Sequence, residues 1–326
     1  MARTKNDRLI KIAVIAAILI LIPLLTPNMY IMQIINMIGI YIILGTGINV
    51  LTGFTGQLSL GQAAFFGIGA YTAALMNTRG GMQFFLCLLG AVVLTALFGV
   101  VLAVPALKVK GSYLALLTMG FGEIVRIVMI NWTPVTNGTA GILGIESPVI
   151  FGFAFDTLKK YYFLIVAFVI LGLLYQNLLI RTRTGRAFVA VREDNEAAEL
   201  TGIDVTAYKI KAFVLSAVYC GIAGCLYAMM IKYVSPDTFT NNVSSVILWT
   251  AIVGGFGTVV GPVLGGIIMQ VLPEALRFLG DWRLVVYGVI LLVVILRFPG
   301  GLYPYIQKFL ENRKAKKAAL SAAGKG

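Results

Sequence analysis

Apolar runs long enough to cross a lipid bilayer recur along most of this chain, and that pattern leaves few folds open to it. A helical crossing needs about 20 predominantly apolar residues. Of the 326 residues, 59% are hydrophobic and only 12% charged, too little polar surface to clothe a soluble domain of this size. The expectation is an all-α polytopic membrane protein. Full spans are placed near 10–26, 31–51, 57–76, 84–106, 112–130, 161–180, 207–231 and 284–298, about eight in all. A further segment, Ser244 to Leu272, is apolar but interrupted by "GGFGTVVGP", Gly254 to Pro262. It exceeds one crossing and falls short of two.

The run Ile10 to Thr26 follows Arg3, Lys5, Arg8 and Lys11 in the manner of a signal peptide. No A-x-A cleavage site follows it, and Pro23 and Pro27 break its end, so it is read as a retained first span.

The net charge of +13 suggests orientation rather than nucleic-acid binding, since no large soluble region exists to grip a duplex. With the N-terminus in the cytoplasm, the loops around Lys108 and Lys110 and from Arg181 to Lys211 also fall inside. The tail 304–326, with Lys308, Arg313, Lys314, Lys316, Lys317 and Lys325, joins them only if 244–272 enters and leaves on one face. A re-entrant pair of half-helices is therefore expected there. Irregular backbone at such depth requires protein or a water-filled cavity around it.

"GFTGQLSLGQAAFFGIGAYTAALM", Gly53 to Met76, poses a second problem, because glycines and glutamines neither hold a helix well nor favour lipid. The small residues Gly61, Gly67 and Gly69 let neighbouring backbones approach, as do Ala217, Gly221 and Cys225 at spacing four. Gln57, Ser59 and Gln62 need polar partners. They bond adjacent helices or line a polar route. The stretch loosely resembles "GGFGTVVGPVLGG", a hint of paired broken elements such as transporters use.

"TMGFGEIVRIVMINW" sets Glu123 and Arg126 on one helical face within a span. Charges there need pairing or water. They are candidates for the translocation pathway, or a local ion pair with Arg126 reaching toward the interface. Cys87, Cys220 and Cys225 lie in apolar runs without metal-ligand spacing, and the chain has no histidine, so no metal site is expected.

The longest charged stretch, "RTRTGRAFVAVREDNEAAELTGIDVTAYKIKAF", reads as a compact cytoplasmic knob over 181–211. Asn195 is a plausible N-cap with Glu196 in the first turn, and Gly202 is the stop. Here a family resemblance enters. "REDNEAAELTGID" resembles the coupling loop of bacterial ABC importer permeases. With "GQLSLGQAAFFGIGAY", "GRAFVAVREDNEAAELTGID", "GGFGTVVGPVLGG" and "RFPGGLYP", the chain is similar over about residues 35–303 to the LivM-type branched-chain amino-acid permease family.

The resemblance implies one transmembrane permease domain moving leucine, isoleucine or valine across the bacterial inner membrane, with both termini cytoplasmic. It implies four partner subunits besides membrane lipids: a second, LivH-like permease subunit, two cytoplasmic ATPase subunits, and an extracytoplasmic substrate-binding protein. It also assigns ATPase coupling to Gly185, Arg186, Arg192, Asp194, Asn195, Glu196, Ala197, Ala198 and Gly202, with Ala197 and Ala198 facing the ATPase groove.

The chain carries no G-x-x-x-x-G-K-[ST] phosphate loop, and its terminal "AAGKG" lacks the required spacing and hydroxyl. No cofactor and no catalysis are expected of it; ATP and magnesium belong to the partner ATPases. Other readings are a related permease for urea or short amides, and a secondary transporter using Glu123 as its ion site.

Overall fold

The computed structural model describes residues 21–323 apart from 22, 27, 110 and 151. The expected first span, 10–26, lies mostly outside the described residues, which include only 21 and 23–26 of it. Helix α1, Met29–Ile48, continues without interruption into a π-helical turn over Asn49–Phe54. It is followed by α2 (Gln62–Thr78), α3 (Phe84–Ala106), α4 (Ser112–Asn131) and α5 (Leu158–Arg181). Two short helices, α6 (Arg183–Glu193) and α7 (Asn195–Leu200), lead to α8 (Val205–Ile231). The chain then forms α9 (Asn241–Gly254), α10 (Gly261–Ala275), α11 (Arg283–Arg297) and α12 (Leu302–Ala323).

Among the described residues, six helices are long and apolar enough to cross a membrane: Met29–Phe54, Phe84–Ala106, Ser112–Asn131, Leu158–Arg181, Val205–Ile231 and Arg277–Arg297. The all-α polytopic expectation holds. The expected full span at 57–76 does not. Its helix starts only at Gln62, and at 17 residues it reaches about 25 Å at 1.5 Å per residue, short of a hydrocarbon core of about 30 Å. The reason is local. Gly56 takes φ +69°, and the side chains of Thr52, Thr55 and Ser59 bond to backbone and amide groups between Leu51 and Gln62, in competition with the helical ladder.

Helices α1 and α8 form the inside of the bundle, each 67% buried over its most apolar window, whereas α11 is only 6% buried. The small-residue stripe of α8 packs as its spacing predicts. Gly221 abuts the backbone of Gly69 on α2 and Thr95 on α3, and Ala217 lies against Gly99. Tyrosine hydroxyls tie α5 to α8: Tyr161 donates to the Leu226 carbonyl at 2.8 Å, and Tyr219 to that of Gly172 at 2.8 Å.

The interrupted segment folds back on itself. Gly254 packs on Gly261 and Gly265 on Thr250, while Val246 and Met269 share an apolar cluster. These pairs keep one antiparallel register. Helices α9 and α10 are therefore the two arms of a hairpin that returns to the end of the bundle where it began, as expected for 244–272. Its tip, however, reaches the opposite end, beside Asn49, rather than stopping partway as half-helices would. Near the base, the stretch after α4 is anchored where Ile142–Leu143 (β1) pairs antiparallel with Tyr233–Val234 (β4). A small hairpin, Val149–Ile150 (β2) with Phe153–Ala154 (β3), adjoins it.

Candidate functional site

At the hairpin tip, four stretches distant in sequence meet. The side chain of Asn49, fully buried in the π-helical turn, bonds twice to the tip. Its Oδ1 accepts from the Gly257 N–H at 2.9 Å and its Nδ2 donates to the Thr258 carbonyl at 2.8 Å. The Thr258 hydroxyl donates to the Gly255 carbonyl (2.8 Å) and accepts from the Gly261 N–H (3.0 Å), closing the turn between the arms. Gly301 of "RFPGGLYP" packs directly on Gly255. From α6, Arg192 Nη1 donates to the Gly53 carbonyl at 2.9 Å. The loose likeness between the two glycine-rich stretches thus has a structural counterpart, because both are breaks and the two breaks touch.

Glycine is required where they touch. Gly257 has φ +71°, and a Cβ there would sit 3.0 Å from Arg192 Nη1. Gly56, at φ +69°, passes 3.1 Å from Arg192 Cγ by the same measure. Any side chain would be strained at these angles.

The first break is lined by polar groups turned into the protein. Gln57 Nε2 donates to Thr55 Oγ1 at 2.9 Å, and the Thr52 hydroxyl donates to the Gln57 carbonyl at 2.9 Å. Gln62 Oε1 accepts from Ser216 Oγ (3.1 Å) and Cys220 Sγ (3.0 Å), both on α8, and its Nε2 reaches Ser59 Oγ at 3.3 Å. Thr118 Oγ1 of α4 accepts from the Leu60 N–H, and Ser244 Oγ of α9 from the Ala63 N–H, each at 2.9 Å. Gln57, Ser59 and Gln62 are buried and bonded to the protein's own groups. Gln62 ties α2 to α8, while the side chains of Gln57 and Ser59 bond within the first break and the start of α2. Gln62→Leu is expected to strand the Ser216 and Cys220 donors. Leaving buried polar groups unpaired costs about 1–3 kcal/mol, to be read as a lower melting temperature of the detergent-extracted protein.

Glu123 and Arg126 pair on α4, with Nη2 and Nε of Arg126 at 2.6 and 3.1 Å from Glu123 Oε1. The pair extends toward the hairpin base. Asn241 at the start of α9 donates to Glu123 Oε2 at 3.3 Å, and Asp237 lies 3.7 Å from Arg126 Nη1. Both members of the pair remain partly exposed, 38% for Glu123 and 26% for Arg126. They sit apart from the junction at the tip.

The knob 183–202 has a small core of its own. Val191, Ala198 and Val205, spaced by seven, pack with Ala190, Ile203 and Tyr208. This places the sequence-assigned coupling residues differently from expectation. Gly185 is buried against Leu179 and Ile180 at the end of α5. Asp194, not Asn195, caps α7: its Oδ1 accepts from the Glu196 and Ala197 N–H groups at 2.8 and 3.2 Å. Asn195 is half-buried. Ala198 is buried in the knob and does not face outward with Ala197. Arg192 is bonded inward to the first break. Gly202, at φ +81°, ends α7 as expected. Arg186, Glu196, Ala197 and Gly202 remain on the surface, and Arg192 and Asp194 are exposed too, although each is engaged in the bonds just given.

Two functional candidates were not singled out from the sequence. Leu200 is 90% exposed beside Glu196 and Glu199 on the outer face of α7. The seven-residue stripe could have flagged it, since Leu200 is an apolar residue that the stripe leaves out. Asn49 carried no signal, because its partners are more than 200 residues away in the chain.

The family model for the permease component of branched-chain amino acid transport systems matches residues 30–295. The chain is 36% identical over 302 residues to the high-affinity branched-chain amino acid transport system permease protein LivM of Escherichia coli, covering 85% of this chain and 71% of that one. The corresponding Salmonella typhimurium protein is 35% identical over 300 residues, with the same coverage. A probable LivM permease of Methanocaldococcus jannaschii is 24% identical over 88% of this chain and 96% of that one. No solved structure matches the chain.

Proposed function

The chain belongs to the family of branched-chain amino acid transport permease components, and from that premise we infer that it forms the membrane path of an ATP-driven importer for leucine, isoleucine and valine. The observation that carries this is the family match over residues 30–295, which takes in both helix breaks and the knob. The partners are a second permease subunit, two cytoplasmic ATPases and an extracytoplasmic binding protein. The knob, both termini and the tail from 304 face the cytoplasm; the hairpin base and the loop 137–156 face outward. A chain without a phosphate loop draws its work from a partner, and a protruding helical knob gives that partner something to move. Alternating access then follows from rigid helical units shifting against one another.

Proteoliposomes holding both permeases and both ATPases, supplied with binding protein and radiolabelled leucine outside and ATP inside, should accumulate leucine. Uptake that proceeds without ATP, or that ignores leucine and takes urea or a short amide, would sink this reading.

Glu123 and Arg126 lie on the partly open face of α4, and we place this pair, rather than the buried and internally bonded Gln57, Ser59 and Gln62, along the translocation route. The double variant Glu123→Gln with Arg126→Gln should keep normal membrane levels while leucine uptake falls about tenfold, equivalent to about 1.4 kcal/mol. Undiminished uptake would reduce the pair to a local ion pair.

A further inference from the structure

The knob meets the bundle through the chain at its ends, through Phe188, which is fully buried in the main core, and through the polar contact of Arg192. Among the described residues, the Arg192–Gly53 bond is the one hydrogen bond from the knob to either helix break. Its geometry is specific. Gly53 lies in the last turn of the first helix, where carbonyls lack donors from their own helix, and a cation is favoured at a helix C-terminus. The guanidinium meets that carbonyl with Nη1 while Nη2 and Nε bond Glu193 Oε1 at 2.6 and 3.2 Å. Glu193 therefore fixes the plane of the fork, and the fork is committed on both edges. The Gly257 Cα faces the same Nη1, and Gly257 is held in turn by Asn49. One side chain thus joins α6 to the first break and abuts the second, and Asn49 joins the two breaks to each other.

We infer that Arg192 is a positioning residue for transport, passing movement of the knob to both breaks at once, rather than a contact for the ATPase. The inference rests on the function proposed above. Its physical basis is that a small displacement of α6 cannot occur without either stretching the Arg192–Gly53 bond or carrying Gly53 along. Because Asn49 holds Gly257 and Thr258 from within the same turn, Gly53 carries the hairpin tip with it. The coupled unit is therefore the pair of breaks, not a single helix.

The test uses the full complex in proteoliposomes with leucine-loaded binding protein. Arg192→Gln should leave co-purification of the ATPases and basal ATP hydrolysis at wild-type values. Stimulation of hydrolysis by loaded binding protein, and leucine uptake, should both fall at least tenfold. Arg192→Lys keeps a charged donor for the Gly53 carbonyl and should recover a substantial part of both. Loss of the ATPases from the Arg192→Gln complex would overturn the inference by making Arg192 a docking contact. Uptake and stimulation within twofold of wild type would overturn it too, as would a lysine variant no better than glutamine. If the glutamine variant does not insert, Arg192→Met takes its place under the same criteria: coupling and uptake at least tenfold down with full assembly support the inference, and values within twofold of wild type overturn it. Failure of the underlying reading is seen separately. A wild-type complex that responds to its binding protein but moves another solute loses only the substrate, and Arg192 is then judged on hydrolysis. A wild-type chain that binds no ATPase defeats both.

Discussion

Gly265→Val is expected to deplete the protein from the membrane and to leave no monodisperse species after detergent extraction. A Cβ on Gly265 would be driven into the Thr250 carbonyl of the facing arm. The obstacle is backbone, so no rotamer change relieves it. Adding bulk to a packed core ordinarily costs about 1–3 kcal/mol, and valine adds two methyl groups beyond the first clash. The arms must separate, and with them the Gly254–Gly261 contact and the tip that Asn49 holds. Against a total stability of about 5–15 kcal/mol, that loss is large. Gly288→Ala on α11 is the control, because nothing lies within 4 Å of a Cβ there, and its yield should match wild type. Equal yields from the two variants would mean that the hairpin arms do not pack as described.

The hairpin also shows how much of the fold could be read in advance. The interruption at 254–262, and its return to the side of entry, followed from length and from the placement of basic residues, both of which are properties of the chain alone. The span at 57–76 was misjudged because mean hydropathy does not register Gly56 at positive φ or threonine hydroxyls bonding nearby backbone carbonyls. Both effects are local, but they decide where a helix starts rather than whether the segment is buried. The knob was legible as a unit, from a charged stretch bounded by helix signals. The direction each side chain takes was not. Asp194 and Asn195 are adjacent and both able to cap, and the choice falls to the backbone, which is extended at Asp194 (φ −158°, ψ 118°). Arg192 reads as a surface cation until Gly53, 139 residues earlier, is seen to be its partner.

That redistribution of roles leads to the prediction for the docking face. With Gly185, Asp194 and Ala198 taken up by the knob's own structure and Arg192 by the junction, the outward face of α7 consists of Glu196, Ala197, Glu199 and Leu200, with Arg186 and Gly202 also exposed on the knob. On the function proposed above, a leucine left 90% exposed on a short, capped helix is the expected anchor for an apolar pocket on the ATPase, with the two glutamates suited to a basic rim. Burying a leucine side chain is worth about 1.5–3 kcal/mol. Leu200→Ala should therefore weaken ATPase association by roughly 10- to 100-fold, since each 1.4 kcal/mol is tenfold. Leu200→Asp must in addition desolvate a charge, and should release the ATPases from detergent-purified complex altogether. Glu196→Arg, which reverses the rim charge, should act mainly on the association rate and fade at high salt. In each variant the protein itself should extract and melt as wild type, because Leu200 touches nothing in the knob core. Complexes that keep their ATPases with Leu200→Asp would show that docking uses another surface, and would return the knob to the status of an ordinary loop.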